Sequence, residues 1–290
     1  MNELLKRQLE LEVILASARN LMMEGFSQTP GADLQRNAKL ATSAKSSPKD
    51  LVTFYDKAVE EYLLSKFSES FPGEVVIGEE TCAQNSTPPL DLISNLKSDS
   101  FWLLDPIDGT TNYARAYPFF CTTAAFCKKT ALGWKVLVGG VYNPVSHEMF
   151  SAARGCGAFL NRSELRVSKI ENPIHSLMIT GFASERSQSS TLPFEIFQKI
   201  TRETLGVRRD GSAALDLSFV AAGRVDAYWE FGLAPWDTAA GSLLVEESQG
   251  KFSDLSGDVS GFFRGEILAT NGILHKWVIN RIKEIRNESA

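Results

Sequence analysis

Four acidic segments place carboxylates where a predicted helix or strand begins or ends. Asp56 begins a predicted helix, Glu79-Glu80 follow a short predicted strand, Asp105 and Asp108 follow an apolar strand, and Asp237 begins a later helix. Because strand ends and helix starts meet at clefts in α/β folds, we expect these carboxylates to share a metal ion. Carboxylate oxygens suit hard cations such as Mg²⁺.

The segment 105–112, Asp-Pro-Ile-Asp-Gly-Thr-Thr-Asn, has the composition of a metal and phosphate turn. Its two Asp residues can face one point across a tight turn, and the carbonyl of Ile107 between them can add a third oxygen. Gly109 lets the chain approach a ligand closely. Thr110 then opens a helical turn whose free N–H groups suit a phosphate oxygen. A plain Asp-Gly turn capped by threonine is the simpler alternative.

The other acidic segments also have simpler explanations when each is taken alone. Asp237 can be an ordinary N-cap of the helix that follows it. Glu79-Glu80 can be the solvated end of a loop. Short motifs give many false matches, so only their combination indicates a site.

Five segments together resemble the inositol monophosphatase family. They occur in the family's order and spacing, and the resemblance covers roughly residues 45 to 272. Residues 102–112 resemble the first family signature and 235–241 the second, 45–56 are similar to the flexible catalytic loop and the Asp beyond it, 77–80 to the glutamate segment, and 211–230 to the substrate-side region.

The resemblance implies a site for two or three Mg²⁺ ions and an activated water. It assigns the first ion to Glu79, Asp105 and the carbonyl of Ile107, and the second to Asp105, Asp108 and Asp237. It further implies that Glu79 and Asp56 assist a weaker third ion or the water, and that Thr110 orients that water.

The resemblance also implies substrate contacts. These contacts are phosphate binding through the N–H groups of Gly109 and Thr110, hydroxyl recognition by Glu230, and a pocket completed by Ser212, Ala213 and Asp237.

The implied activity is Mg²⁺-dependent, lithium-sensitive hydrolysis of a small polyol phosphate, above all myo-inositol 1-phosphate, by in-line attack of water. Related activities on fructose 1,6-bisphosphate, NADP or histidinol phosphate stay open. A regulatory, protein-binding role beside catalysis also stays open, because some bacterial family members bind RNA polymerase or RNA-associated complexes. The family expectation for the assembly is a homodimer.

The composition and charge of the chain limit the classes of binding partner that we expect. The 290 residues carry a net charge of −5 with no basic cluster, so we expect neither nucleic-acid nor membrane binding. No signal peptide or apolar run of membrane-spanning length is evident. The four cysteines form no Cys-x-x-Cys pair, which is typical of reduced thiols in a cytoplasmic protein.

The elements that must position these residues form an α/β protein. Strands follow one another in the first half and alternate with helices in the second. We therefore predict two halves, 1–154 with most metal ligands and 155–290 with the substrate side and the last ligand, in one compact unit. The resemblance implies layers of helices and two mixed or antiparallel sheets, with the active site between the halves.

Local patterns predict particular boundaries. A helix over 3–26 is expected to stop at Gly25, and residues 27–50 form a long loop. Residues 85–99 form a surface connection, and the strand at 101–104 ends at Asp105.

Overall fold

Two mixed β-sheets with helices on their faces make up the fold. The computed structural model describes residues 2–28, 43–44, 51–52, 54–85, 88–131, 133–182, 191–258 and 265–288. The predicted loop at 27–50 and the predicted catalytic loop segment 45–53 lie largely outside these residues.

Helices occur throughout the described residues. They are α1 (Glu3–Ser17), α2 (Arg19–Gln28), α3 (Phe54–Ser70), α4 (Glu79–Asn85), α5 (Pro89–Ser94), α6 (Thr110–Ala114), α7 (Leu192–Glu203), α8 (Ala213–Ala221), α9 (Pro235–Glu247) and α10 (His275–Glu288). None of the helices in these ranges is both long enough and apolar enough to cross a bilayer.

The strands are β1 (Ser43–Ala44), β2 (Leu51–Val52), β3 (Val76–Gly78), β4 (Ser100–Asp108), β5 (Cys121–Thr130), β6 (Gly133–Asn143), β7 (Glu148–Ala153), β8 (Gly157–Leu160), β9 (Ser163–Glu164), β10 (Leu177–Thr180), β11 (Gly206–Arg208), β12 (Ala227–Phe231), β13 (Lys251–Ser253) and β14 (Glu266–Thr270). Strands β1 and β2 form a small antiparallel pair. Strands β3 to β9 form a seven-stranded sheet in chain order. The order of the five-stranded sheet is β11-β10-β12-β14-β13.

Three apolar clusters show how the layers stack. Helices α1 and α3 cover one face of the seven-stranded sheet through residues such as Leu15, Val59 and Trp102. Helices α8 and α9 fill the space between the two sheets. Helices α7 and α10 cover the outer face of the five-stranded sheet. The result is five alternating layers of helix and sheet, which confirms the layered α/β prediction.

The two sheets are tied closely through α9. A Cβ atom at Gly139 of β6 would lie 2.9 Å from the Cα of Ala240, so only glycine permits the observed approach of helix and sheet. The seven-stranded sheet continues beyond the predicted boundary at residue 154, because β8 and β9 belong to it. The division into two halves stays a prediction.

Strand β4 is longer than its sequence indicates. It continues through Asp105 to Asp108 instead of ending at Asp105, and all but its first residue are buried. Its register against β5 shifts between Asp105 and Asp108. Such an irregularity re-aims side chains, and here it separates the two aspartates along a strand edge.

Two further boundaries were predicted wrongly. Helix α2 continues past Gly25 to Gln28, after a break at Ala18 that separates it from α1. A Cβ at Gly25 would lie 2.0 Å from the hydroxyl oxygen of Tyr113, so close packing and not helix termination requires this glycine. The predicted surface connection at 85–99 contains helix α5.

A buried histidine joins α10 to the five-stranded sheet. His275 is 2% exposed. Its Nε2 lies 3.0 Å from Ser253 Oγ, which donates to the Asp254 carbonyl. Its Nδ1 lies 3.0 Å from Thr270 Oγ1, which accepts from the Gly272 N–H. These partners fit a neutral ring that donates through Nε2 and accepts through Nδ1.

We predict an acid-sensitive contribution of His275 to stability. Burial, and secondly Lys251, lowers the pKa of His275 to about 4 from an ordinary 6.5. On acidification the unfolded chain therefore binds the proton first. The stability contribution is complete above pH 6.5 and is lost as the pH falls from 6.5 toward about 4.

The test compares melting temperatures of the unaltered chain and His275→Gln at pH 7.5 and pH 5. When the pH is lowered from 7.5 to 5, the melting temperature of the unaltered chain should fall by roughly 2–6 °C more than that of the variant, because the glutamine amide does not titrate. Other titrating groups are common to both proteins and cancel in the difference. Parallel pH dependence would show that His275 does not contribute in this way.

Candidate active site

A cavity of about 200 Å³ opens between the two sheets. The residues that line it come from the starts of α4, α6, α8 and α9 and from the ends of strands. They are Glu79, Asp105, Ile107, Asp108, Gly109, Thr110, Gly181, Phe182, Arg209, Gly211, Ala213, Glu230, Leu233 and Asp237. The four acidic segments that are separate in sequence therefore lie at or beside one cavity.

Asp56 and Ser212 lie behind the cavity wall. Asp56 is buried, and its Oδ1 is 3.4 Å from Thr110 Oγ1. The same Thr110 oxygen lies 3.1 Å from the Ile107 carbonyl. Ser212 is also buried and donates to Asp108 Oδ2 at 2.7 Å. Ser212 thus holds a cavity carboxylate in place, and its predicted substrate contact stays a prediction.

Asp108 is held by neutral donors at the start of α8. Its Oδ2 accepts from the Ser212 hydroxyl and from the Ala214 N–H, each at 2.7 Å. Burial raises the pKa of Asp108 to about 6, against the opposing effect of these hydrogen bonds, and Glu79 raises it further. The cavity therefore holds carboxylates that repel one another at reduced solvation.

Asp237 bonds to the start of its own helix and also lines the cavity. Its Oδ2 accepts from the Ala234 N–H at 2.8 Å, and Ala234, not Asp237, is the N-cap residue of α9. The simple N-cap explanation is therefore wrong: Asp237 lies at the third helical position and returns a hydrogen bond to the N-cap N–H. Burial raises the pKa of Asp237 well above its ordinary value, and Asp108 and Glu79 raise it further. The capping bond fixes the carboxylate beside the other acids.

Gly109 makes the turn between β4 and α6 possible. Its φ is +94°, a left-handed conformation that favours glycine. A Cβ there would also lie 3.1 Å from the Phe119 carbonyl and 3.3 Å from the Gly211 carbonyl. The turn can therefore carry Gly109 and Thr110 into the cavity wall only without a side chain at position 109.

A buried carboxylate outside the cavity fixes the segment that carries Glu79. Glu60 on α3 accepts from the Glu80 N–H at 2.8 Å and from the Thr81 N–H at 2.7 Å. It also accepts from the Thr81 hydroxyl at 2.5 Å. A Cβ at Gly78 would lie 2.5 Å from the Glu60 carboxylate. Glu60 thus orients the turn from β3 into α4, where Glu79 begins the helix.

Glu60 is not among the site residues predicted from the sequence, although the sequence carries a signal for it. Asp56 and Glu60 lie one helical turn apart, on the same face as the apolar Val59, Leu63 and Phe67. An acid on an otherwise apolar helix face is buried only when it is paired or hydrogen-bonded, so it indicates a specific partner. Several lining residues were also missed, namely Gly181, Phe182, Arg209 and Leu233.

The donor set suits Mg²⁺. The candidate ligands are carboxylate and carbonyl oxygens, which a hard divalent cation prefers. Among the described residues that line the cavity, Arg209 is the one cation beside five carboxylates. In the described part of the chain, no group of three or more His, Cys, Asp or Glu side chains is already arranged to hold a metal ion. The residue types and their common cavity, and not a preformed cage, therefore support a metal site.

Comparison with known proteins agrees with this geometry. A sequence model of the inositol monophosphatase family matches residues 9–287. The chain belongs to the inositol monophosphatase family. Two solved structures resemble it. An inositol monophosphatase from Anabaena (Nostoc) sp. PCC 7120 has a TM-score of 0.80 and is 32% identical, and the match covers 98% of this chain and 97% of that one. An IMPase of Thermotoga maritima has a TM-score of 0.81 and is 27% identical, and the match covers 98% of this chain and 100% of that one.

Curated relatives within the family carry two kinds of name. The Nus factor SuhB of Pasteurella multocida is 34% identical over 94% of this chain and 95% of its own length. The chloroplastic phosphatase IMPL1 of Arabidopsis thaliana is 36% identical over 80% of this chain and 61% of its own length. The family and the fold are thereby shown, and family membership supports a phosphatase.

We predict that Glu60 sets the Mg²⁺ affinity of the site. In Glu60→Gln the amide oxygen can accept at most two of the three hydrogen bonds, and the amide N–H groups then face the remaining N–H donor. The turn that carries Glu79 should loosen, and Mg²⁺ affinity measured by calorimetry should fall about 10- to 100-fold, as for other groups that orient a metal ligand.

The matched control is Glu61→Gln, which removes an exposed carboxylate from the next position of the same helix. It should leave Mg²⁺ affinity unchanged. A Glu60→Gln protein with lowered thermal stability but unaltered Mg²⁺ affinity would reduce Glu60 to a purely structural role.

Proposed function

We propose that the chain hydrolyses phosphate monoesters of small polyols with Mg²⁺, and that myo-inositol 1-phosphate is its first candidate substrate. The observation that supports this proposal is the common cavity of the candidate metal ligands, the Gly109-Thr110 turn and Glu230. Family membership supports the reaction class. The proposed route is in-line attack of water on the phosphorus atom, which needs no protein nucleophile.

Two or three Mg²⁺ ions are proposed as cofactors, held by Glu79, Asp105, the Ile107 carbonyl, Asp108 and Asp237. When bound, Mg²⁺ neutralises the phosphate, lowers the pKa of the attacking water and stabilises the departing alkoxide. Lithium inhibition belongs to the same proposal.

The protein groups around the turn can orient the attacking water. The Thr110 hydroxyl can donate to Asp56, whose Oδ1 lies 3.4 Å away, and its lone pair can then accept from the water. Because Asp56 is buried, its carboxylate favours the hydrogen bond from Thr110 over hydration by solvent. The N–H groups of Gly109 and Thr110 at the start of α6 can donate to phosphate oxygens.

The alcohol part of the substrate is proposed to lie toward Glu230. Its carboxylate lines the cavity with Gly181, Phe182 and Leu233. A carboxylate accepts hydrogen bonds from hydroxyl groups, whereas the adjacent apolar side chains can cover the ring carbons of a polyol. This division favours a neutral polyol over a nucleotide as the leaving group.

The proposed setting is a cytoplasmic homodimer. The four cysteines, Cys82, Cys121, Cys127 and Cys156, are free thiols, which agrees with a reducing compartment. Dimerisation is proposed from the family alone.

A protein-binding role beside catalysis is a second proposal, because several curated bacterial relatives are named Nus factors. An Asp237→Asn variant separates the two roles. If it loses hydrolysis but still binds the protein partner that the unaltered chain captures, binding is independent of catalysis. Loss of both together would tie the partner to the active site.

The activity test measures phosphate release from inositol 1-phosphate, fructose 1,6-bisphosphate, histidinol phosphate and NADP, with and without Mg²⁺ and Li⁺. We expect Mg²⁺-dependent release, greatest from inositol 1-phosphate and reduced by Li⁺. Release led by another ester would correct the substrate. A folded chain that releases phosphate from none of them would refute the enzymatic proposal.

We further predict that Asp108→Asn nearly abolishes turnover. The change removes a ligand charge but keeps an oxygen for the Ser212 and Ala214 donors. The loss of kcat/KM should exceed the roughly 10- to 100-fold effect of groups that only orient a ligand. Asp91→Asn, at an exposed position of α5, is the control and should keep full activity. Near-native turnover by Asp108→Asn at saturating Mg²⁺ would show that the ligand assignment is wrong.

A further inference from the structure

The Glu230 carboxylate lies against two residues that the proposed reaction does not use. Tyr228 and Glu230 are alternate residues of β12 and therefore share one face of the strand. The Tyr228 hydroxyl donates to Glu230 Oε2 at 2.5 Å. Tyr228 is fully buried. Burial, and secondly Glu230 itself, raises the pKa of Tyr228 well above its ordinary value, so the phenol keeps its proton and acts as the donor.

Gly181 supplies the space for this carboxylate. It follows β10, which runs parallel to β12 with Thr180 opposite Trp229. A Cβ at position 181 would lie 1.9 Å from Glu230 Oε2 and 2.0 Å from its Cδ. The backbone of Gly181 is not left-handed, so its conformation alone does not require glycine. The position of the Glu230 carboxylate is the reason that no side chain fits there.

These contacts leave the two carboxylate oxygens in different roles. Oε2 is bound to Tyr228, while Oε1 accepts no hydrogen bond from the described residues. The Glu230 side chain lines the cavity beside Gly181. Because Tyr228 restricts rotation of the carboxylate, Oε1 is oriented before a ligand enters, which lowers the entropic cost of binding.

We propose that Tyr228 and Gly181 form a clamp that positions Glu230, so that its second oxygen Oε1 selects substrates with a hydroxyl group on the alcohol part. The inference rests on the proposed function, in which Glu230 binds that alcohol part. Tyr228 and Gly181 are positioning residues, since neither needs to touch the reacting atoms.

The charge of Glu230 also depends on the clamp. Burial raises the pKa of Glu230 to about 7, and the Tyr228 hydroxyl opposes that effect. Without the phenol, the carboxylate loses a donor that stabilises its ionised form. The ionised form is the better acceptor for a substrate hydroxyl.

The experiment compares two esters at saturating Mg²⁺: inositol 1-phosphate, which carries hydroxyl groups, and phenyl phosphate, whose alcohol part carries none. In Tyr228→Phe, kcat/KM for inositol 1-phosphate should fall about 10- to 100-fold, mainly through KM, because one charged hydrogen bond to the substrate is misplaced. For phenyl phosphate it should stay within about twofold of the unaltered chain.

Gly181→Ala provides an independent variant, because its methyl group must displace the Glu230 carboxylate. It should show the same selective loss as Tyr228→Phe. Gly206→Ala is its control: position 206 lies on the neighbouring strand β11, and the nearest atom to the added Cβ is the mobile end of Arg208 at 3.2 Å. Tyr142→Phe, at a buried tyrosine of the other sheet, is the control for loss of a phenol. Both controls should treat the two esters as the unaltered chain does.

The outcomes separate the clamp from the proposed function. Equal losses on both esters, or no loss on inositol 1-phosphate in either variant, would overturn the clamp while leaving the phosphatase proposal intact. If the unaltered chain released no phosphate from inositol 1-phosphate, the proposed substrate would fail and the clamp with it.

Discussion

Burial of several carboxylates around one cavity is the constraint on which the rest of this structure depends. Like charges at reduced solvation repel one another, and the raised pKa values of Asp108 and Asp237 express that cost. The fold offsets part of this cost with neutral donors to three of these acids. Asp108 receives a hydroxyl and an N–H, Asp237 an N–H of its own helix start, and Glu230 a phenol. A cavity organised in this way is suited to a divalent cation.

The layered architecture provides those donors. The starts of α4, α6, α8 and α9 converge on the cavity, and a helix start offers N–H groups that have no partner within the helix. The close approach of α9 to the seven-stranded sheet, which Gly139 permits, brings Asp237 toward the strand that carries Asp105 and Asp108. The same glycine-dependent packing recurs at Gly78, beside Glu60, and at Gly181, beside Glu230. At Gly78 and Gly181 a carboxylate occupies the space of the missing side chain, whereas at Gly139 the backbone of Ala240 does.

The two ends of the cavity are lined by residues of different chemical character. The candidate metal ligands and the Gly109-Thr110 turn form an oxygen-rich end that suits phosphate and metal. Glu230, Phe182 and Leu233 form an end with one charged acceptor and apolar neighbours. Family membership supports a phosphatase, and in the proposed function the first end holds the phosphate while the second end holds the alcohol part.

The sequence by itself determined the family, the α/β class and the candidate ligands, because Asp105, Asp108 and Asp237 lie in motifs whose combination, order and spacing resemble the family. The helix start at Thr110 followed from local propensity. Contacts between distant segments were decided only by the tertiary structure. Glu60 and Gly181 act through neighbours that are remote in sequence, whereas Tyr228 acts on Glu230 two residues along the same strand. Gly25 resembled a helix stop, although packing requires it. Local patterns report what a residue can do chemically, but only the packing of helices against sheets decides which atoms occupy the space beside it.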